Sequence, residues 1–330
     1  MKRCLASAGA PNERTSAVSD NILVIKLGAL GDFVQAGGPF QAIRAHHGSA
    51  HITLLTTQPF ADIAGAAPWF DAVWIDSRPK LLEVSGWLDL RARLRSGEFA
   101  RVYDLQTSAR SSHYHRLWWP GVAPEWSGIA KGCTLPHASP RRDLMHTIER
   151  QAEQLAMAGI EAVPAADYSW AERSDVTALE LPETYAIIAP GGAAHRPDKR
   201  WPLARFAEIA LHLAQSGSTP VIIGAGAEQA MAAEILKAAP TARDVTGKTS
   251  LGQLFALAKG ARLAIGNDTG PMHVAALTGC ATLVLYSKAS DPALCAQRGE
   301  RTVILRETSL DALSAAQVTE ALNDLNISQP

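Results

Sequence analysis

The 330-residue sequence lacks several features, and each absence excludes a class of protein. It holds only four cysteines, Cys4, Cys133, Cys280 and Cys295, and they form no CxxC pair or Cys/His cluster. A disulfide framework and a structural zinc site are therefore not expected. Lys and Arg number 31 against 32 Asp and Glu, so no global positive field favours nucleic acid. We expect a protein of the reducing cytoplasm without a nucleic-acid partner.

Long apolar segments are also missing. No run approaches the roughly 18 apolar residues of a membrane span, and residues 1–20 lack the apolar core of a secretory signal. We expect residues 1–20 to be a mobile tail and any bilayer contact to be peripheral. Because 47% of the residues are hydrophobic and 19% charged, the chain can bury a large core and is long enough for two domains.

The order of predicted elements indicates two α/β domains. In residues 21–170, strand-like segments at 22–27, 51–56, 72–75 and 101–105 alternate with helix-like ones, followed by a long loop at 118–142 and a helix at 144–158. Residues 171–184 read as a linker. Residues 185–330 repeat the alternation, with strands at 185–189, 220–223, 263–265 and 282–286 and a C-terminal helix at 310–325. Such alternation predicts doubly wound parallel sheets covered by helices.

The sharpest motif, at residues 266–273, follows a predicted strand and opens a helix. Gly270 permits close approach of a backbone, Pro271 suits a first helical turn, and the helix N-terminus favours a phosphate. Asp268 and Thr269 could meet a ribose, a phosphate or a metal. The alternative is a Pro-initiated helix with Asp268 or Thr269 as an ordinary cap, since such caps are common.

A glycine-rich loop at residues 189–202 follows the first strand of the second half and carries clustered cations. In a chain of almost no net charge, this concentration suggests a diphosphate, with Lys199 as the contact. The alternative is a solvated basic loop. After the next strand, Glu228 follows a Gly-Ala-Gly turn at residues 224–226. It could bond ribose hydroxyls, although the turn does not fit a dinucleotide-binding pattern.

In the first half, two features could serve an acceptor. Asp32 opens the first helix, where a carboxylate at a cleft mouth can take a proton from an attacking hydroxyl, or simply cap the helix. Arg110 belongs to a basic and aromatic stretch at residues 110–119 that could hold an anionic sugar, touch lipid headgroups or be plain surface.

Residues 22–32, the Lys199-Arg200-Trp201-Pro202 element and residues 266–273 together resemble glycosyltransferase family 9, which contains the ADP-heptose:lipopolysaccharide heptosyltransferases. The resemblance runs in the same order from about residue 21 to about residue 322. It implies a GT-B fold, in which two Rossmann-like domains face a central cleft, the first binding the acceptor and the second a nucleotide sugar. The expected activity is inverting transfer of a sugar, taken as heptose from ADP-heptose, onto a lipid-anchored glycan such as the lipopolysaccharide core.

By this resemblance, Asp32 matches the catalytic base. The residues implied in donor binding are Lys199, Glu228, Asp268, Thr269, Gly270 and His273, and those implied in acceptor binding are Lys26, Arg110 and His137. No metal ligands and no required cofactor are implied, although Mg²⁺ could join Asp268 at the diphosphate. The lipid-anchored acceptor would place the enzyme at the inner face of the cytoplasmic membrane.

Two other functions use the same architecture. A nucleotide-sugar epimerase would convert the donor without an acceptor, and a non-catalytic nucleotide-sugar binding protein would not need the Asp32 carboxylate. Fold alone does not separate these from a transferase.

Overall fold

The computed structural model describes residues 21–193 and 195–327, which form two α/β domains, each built on a sheet of six parallel strands. The predicted tail at residues 1–20 lies outside the described residues. The first sheet contains β1 (Asn21–Ile25), β2 (His51–Thr56), β3 (Ala72–Ile75), β4 (Arg101–Asp104), β5 (Glu125–Gly128) and β6 (Leu135–Pro136). The second contains β7 (Tyr185–Ala189), β8 (Thr219–Ile222), β9 (Arg243–Asp244), β10 (Leu263–Asn267), β11 (Ala281–Tyr286) and β12 (Thr302–Arg306).

Helices cover the sheets. Those of the first domain are α1 (Leu30–Gln35), α2 (Gly37–His46), α3 (Ala61–Ala66), α4 (Val84–Ser96), α5 (Ala109–Tyr114) and α6 (Thr147–Met157). Those of the second are α7 (Leu203–Gln215), α8 (Gln229–Ala238), α9 (Leu251–Gly260), α10 (Gly270–Leu277), α11 (Pro292–Cys295) and α12 (Ala315–Ile327). Within residues 21–193 and 195–327, no helix has both the length and the apolar character needed to cross a bilayer.

The two sheets share one topology. The strand order is β3-β2-β1-β4-β5-β6 in the first and β12-β11-β10-β7-β8-β9 in the second. In each sheet the first and fourth strands of the domain are neighbours, and the chain leaves them in opposite directions. Such a switch point opens a crevice at the carboxyl ends of the strands. The register pairs Ile25 with Asp104 and Ala189 with Gly266, which places the motifs of the sequence analysis at these two crevices.

The prediction of doubly wound parallel sheets is confirmed, but that of a long loop at residues 118–142 is wrong. This segment contributes β5 and β6, which extend the first sheet beyond β4. Trp126 on β5 is fully buried and stacks edge-on against Trp118. Strands β9 and β12, which complete the second sheet, were also not predicted.

One apolar cluster continues from the first domain into the second. The segment between the sheets takes part in it. The Tyr168 ring stacks on Phe255 with ring centroids 4.5 Å apart, and its hydroxyl donates to the Phe33 carbonyl. Ala171 and Leu179, inside the predicted linker at residues 171–184, are buried as well. The domains are thus joined by packed side chains in addition to the connecting chain.

Candidate functional site

The candidate site lies where α1 of the first domain meets α10 of the second. The contact depends on two glycines: a Cβ at Gly270 would lie 2.6 Å from the Leu30 Cβ, and a Cβ at Gly31 would lie 2.6 Å from the His273 Cδ2. Larger residues could not be accommodated without a shift. Because Gly270 and His273 belong to the motif at residues 266–273 and Gly31 precedes Asp32, the fold brings two of the predicted motifs together.

Asp32 lies in the first turn of α1 and is half-buried. Its charge acts on three neighbouring groups, Lys26, Arg150 and His273. Burial lowers the pKa of each of the three, and in each case the Asp32 carboxylate opposes the shift. Among the described residues, no group donates a hydrogen bond to Asp32. Its oxygens therefore have no internal donor and are available to a hydrogen-bond donor of a bound molecule.

His273 is uncharged at neutral pH. Burial lowers its pKa to about 4, although Asp268 and Asp32 both oppose this. The imidazole therefore contributes a hydrogen-bonding ring and no positive charge to the space between the two carboxylates.

Lys26 and Asp104 form the floor of the first crevice. The buried Lys26 Nζ donates to the Leu105 carbonyl at 3.0 Å. Asp104 Oδ1 accepts from the amides of Gln106 and Thr107, whereas Oδ2 is buried without a hydrogen-bond partner among the described residues. Burial raises the Asp104 pKa to about 6, partly opposed by hydrogen bonds and by the Lys26 charge.

Asp268 organises the second crevice. Its Oδ2 accepts from Lys199 Nζ at 2.5 Å and from Ser290 Oγ at 2.7 Å, and its Oδ1 accepts from Gln297 Nε2 at 3.1 Å. Burial would raise the Asp268 pKa, but these hydrogen bonds and the Lys199 charge outweigh it and lower the pKa. The carboxylate therefore stays ionised and holds the Lys199 ammonium in place.

Asn267, which the sequence analysis did not single out, joins the two loops of this crevice. Its side-chain nitrogen donates to the carbonyls of Pro190 and Gly191, and its Oδ1 accepts from the Trp201 amide at 2.9 Å. The loop that carries Lys199 is thereby fixed to the end of β10. Next to it, Thr269 is the N-cap residue of α10 and makes no side-chain capping bond.

Glu228 lies beside the same loop. Cβ atoms at Gly191 and Gly224 would each lie 2.8 Å from Glu228 side-chain carbons, so both glycines make room for this side chain. The arrangement places Glu228 against the glycine-rich turn after β7.

The structure places Arg110 and His137 in other surroundings. Arg110 lines a cavity of about 420 Å³ next to Trp87 and Leu81, and its Nη2 donates to the Pro79 carbonyl. His137 is buried, and its Nε2 lies 2.7 Å from Glu153 Oε2. Their assignment to acceptor binding stays a prediction, as do the roles of the other site residues.

A second set of contacts joins the domains beside the site. His146 Nε2 and Gln35 Nε2 both lie within hydrogen-bond distance of the Ala296 carbonyl, and Arg298 pairs with Glu149 at 2.7 Å. No sequence motif indicates these contacts or the position of Arg150, because the helix that carries Arg150 has an ordinary amphipathic pattern.

Two domains of one Rossmann-like topology, meeting at their motif-bearing loops, define the GT-B fold. Residues 87–320 match the family model described as glycosyltransferase family 9 (heptosyltransferase). The chain belongs to this family, as the sequence motifs predicted.

Known proteins agree with this assignment. Lipopolysaccharide heptosyltransferase 2 of Escherichia coli K12 is 35% identical over 104 residues, a match that spans 30% of each chain. The solved structure of the E. coli ADP-heptose lipopolysaccharide heptosyltransferase II superimposes with a TM-score of 0.77 at 22% identity, covering 93% of this chain and 98% of that one. A family 9 glycosyltransferase from Veillonella parvula gives a TM-score of 0.79 at 21% identity, covering 94% and 97%. At these identities the structural matches show the fold.

Proposed function

We propose that the protein is an inverting glycosyltransferase that moves heptose from ADP-heptose onto the lipopolysaccharide core or a related envelope glycan. Family membership and the names of its relatives support the reaction class and the donor. The observation that carries the proposal is the contact of Gly31 with His273, because it packs α1, which carries Asp32, against the helix that follows Asp268 and Thr269.

The proposed reaction is a single displacement. Asp32 takes the proton of the acceptor hydroxyl, the resulting oxygen nucleophile attacks the anomeric carbon, and the bond from that carbon to the diphosphate oxygen breaks. The electron pair leaves with the diphosphate, whose charge Lys199 and the N-terminus of α10 stabilise. Because attack comes from the side opposite the leaving group, the anomeric configuration inverts.

The residues around Asp268 do not fit a divalent cation. Both carboxylate oxygens already accept hydrogen bonds from Lys199, Ser290 or Gln297, and within residues 21–193 and 195–327 no group of three or more His, Cys, Asp or Glu could hold a metal ion. We therefore propose that the reaction needs no Mg²⁺ and that transfer persists in excess EDTA.

The test is transfer from ADP-heptose to a purified core acceptor, with the Asp32→Asn variant. Loss of the base should lower kcat by about 100- to 10,000-fold, while donor binding, read from the thermal shift that ADP-heptose produces, should persist. Asp62→Asn is the matched control, because Asp62 is an exposed carboxylate in the first turn of α3. Wild-type turnover in Asp32→Asn would contradict the assignment of the base.

The same assay separates the alternative functions. An epimerase would change ADP-heptose in the absence of acceptor, which NMR of the sugar detects. A non-catalytic binding protein would show the thermal shift and no product with either substrate combination.

Because the proposed acceptor is lipid-anchored, we also propose that the protein works in the cytoplasm at the inner face of the membrane.

A further inference from the structure

One face of the first domain exposes an unusual number of large apolar side chains. Val122 is 94% exposed, Leu82 90%, Leu81 86% and Trp119 78%. Together with Val84 and Leu88, which are also exposed, they form what we call the apolar patch. Exposed hydrophobic residues are common singly, but a contiguous group marks an interaction surface.

Hydrogen bonds hold the segments that carry the patch against α4. The Trp87 indole donates to the Lys80 carbonyl and ties the loop bearing Leu81 and Leu82 to α4. The Arg91 guanidinium on α4 donates to the carbonyls of Leu117 and Trp119, which attaches the segment ending at Val122.

Helical spacing extends this surface along α4. Residues 84, 88, 91 and 95 follow one another at intervals of four, three and four, so they share one face of the helix. Val84 and Leu88 therefore lie on the same stripe as Arg91. Arg95 is the last residue of this stripe, and a Cβ at Gly121 would lie 3.3 Å from its guanidinium. The chain next to Val122 therefore lies against the end of the stripe.

The surroundings of the patch are basic. Residues 78–122 contain eight Lys and Arg against four Asp and Glu, whereas the whole chain has a net charge of −1. Five of these cations are exposed, Arg78, Lys80, Arg93, Arg95 and Arg116, against three exposed acids, Glu83, Asp89 and Glu98. Apolar side chains that can enter a bilayer, next to cations that attract anionic headgroups, are the two components of peripheral membrane binding.

We propose that the apolar patch docks the first domain onto a bilayer of anionic phospholipid. This extends the proposed function, since a lipid-anchored acceptor would then be met at the membrane surface. A second copy of the chain fits less well, because a symmetric pair would bring two basic faces together. The cavity at Arg110, lined in part by Leu81, opens beside the patch, so docking would bring this predicted acceptor residue to the headgroup level.

The test is cosedimentation of the full chain with vesicles of phosphatidylglycerol and phosphatidylethanolamine, without donor or acceptor. The double variant Leu82→Ser/Val122→Ser should raise the lipid concentration for half-maximal binding about tenfold or more, because its two most exposed anchors are lost. Lys80→Glu/Arg116→Glu should weaken binding and reduce its dependence on salt. Leu211→Ser/Val303→Ser is the matched control, since both residues are partly exposed apolar side chains of the second domain.

Three results would overturn the inference. The wild type could fail to bind anionic vesicles, the Leu82/Val122 variant could bind as well as the control, or the patch substitutions could abolish a dimer in sedimentation velocity and leave vesicle binding intact. Transfer to a delipidated, water-soluble acceptor should be unchanged in the Leu82/Val122 variant. If neither the wild type nor any variant transfers sugar, the proposed function is wrong. The vesicle experiment still tests membrane docking, because it uses neither donor nor acceptor.

Discussion

Replacing Asp268 with Asn tests whether the second crevice depends on a buried charge. The two side chains have nearly the same shape, but Asn leaves the Lys199 ammonium without its counter-ion. The Lys199 side chain is 13% exposed and that of Asp268 7%. Removing one member of a buried pair costs about 3 to 5 kcal/mol. Since Lys199 keeps some access to water and Asn can still accept one hydrogen bond, we expect the free energy of unfolding to fall by about 2 to 3 kcal/mol.

Urea unfolding of the wild type and Asp268→Asn at several pH values measures this difference. The folded-state pKa of Asp268 is lowered, so its stabilising effect is complete above the unfolded value of about 3.9 and is lost as the pH falls through the folded value. The difference should therefore be constant from pH 7 to about pH 5 and shrink below pH 4. Asp143→Asn, at a carboxylate that is 87% exposed, should change little. Equal stability of wild type and Asp268→Asn at pH 7, or a difference unaffected by acid, would refute the reasoning.

Two further substitutions have defined outcomes. Asp104→Asn should stabilise the protein increasingly as the pH rises from 4 to 6, by about 2 to 3 kcal/mol at pH 6. The folded-state pKa of Asp104 is raised to about 6, so the wild type loses stability as this buried group ionises. A difference in urea midpoint that does not change with pH would contradict this. Gly31→Ala should lower the unfolding free energy by about 1 to 3 kcal/mol, because the added methyl group would overlap His273. Gly65→Ala is the control, since the space around Gly65 is open. Equal melting temperatures of the two variants would show that the contact of α1 with α10 accommodates the methyl group without cost.

Much of the fold could be predicted because its central strands are apolar and β-branched. The predicted bounds of β2, β3 and β7 agree with the structure. Strands β6 and β9 have only two residues each, and β5 and β6 contain Gly128 and Pro136. Such segments carry no periodicity, and they become strands because a neighbouring strand already offers its edge for pairing.

The candidate site could be predicted only where a motif adjoins a strand end. Asp32, Lys199 and Asp268 are predicted in this way, and in the structure all three lie near His273, at the contact of α1 with α10. Asn267 could have been found, because a polar residue buried at the end of a predicted strand needs partners. The proximity of Arg150 to Asp32, by contrast, arises from the packing of α6 against α1, two helices distant in sequence.

The apolar cluster that includes both Phe33 and Phe255, with Tyr168 between them, makes the two sheets thermodynamically interdependent. Neither half can be solvated without exposing the interior of the other. Denaturation should accordingly be one cooperative event, with equal calorimetric and van 't Hoff enthalpies, so that a destabilising substitution in the first domain lowers the melting temperature of the second by the same amount.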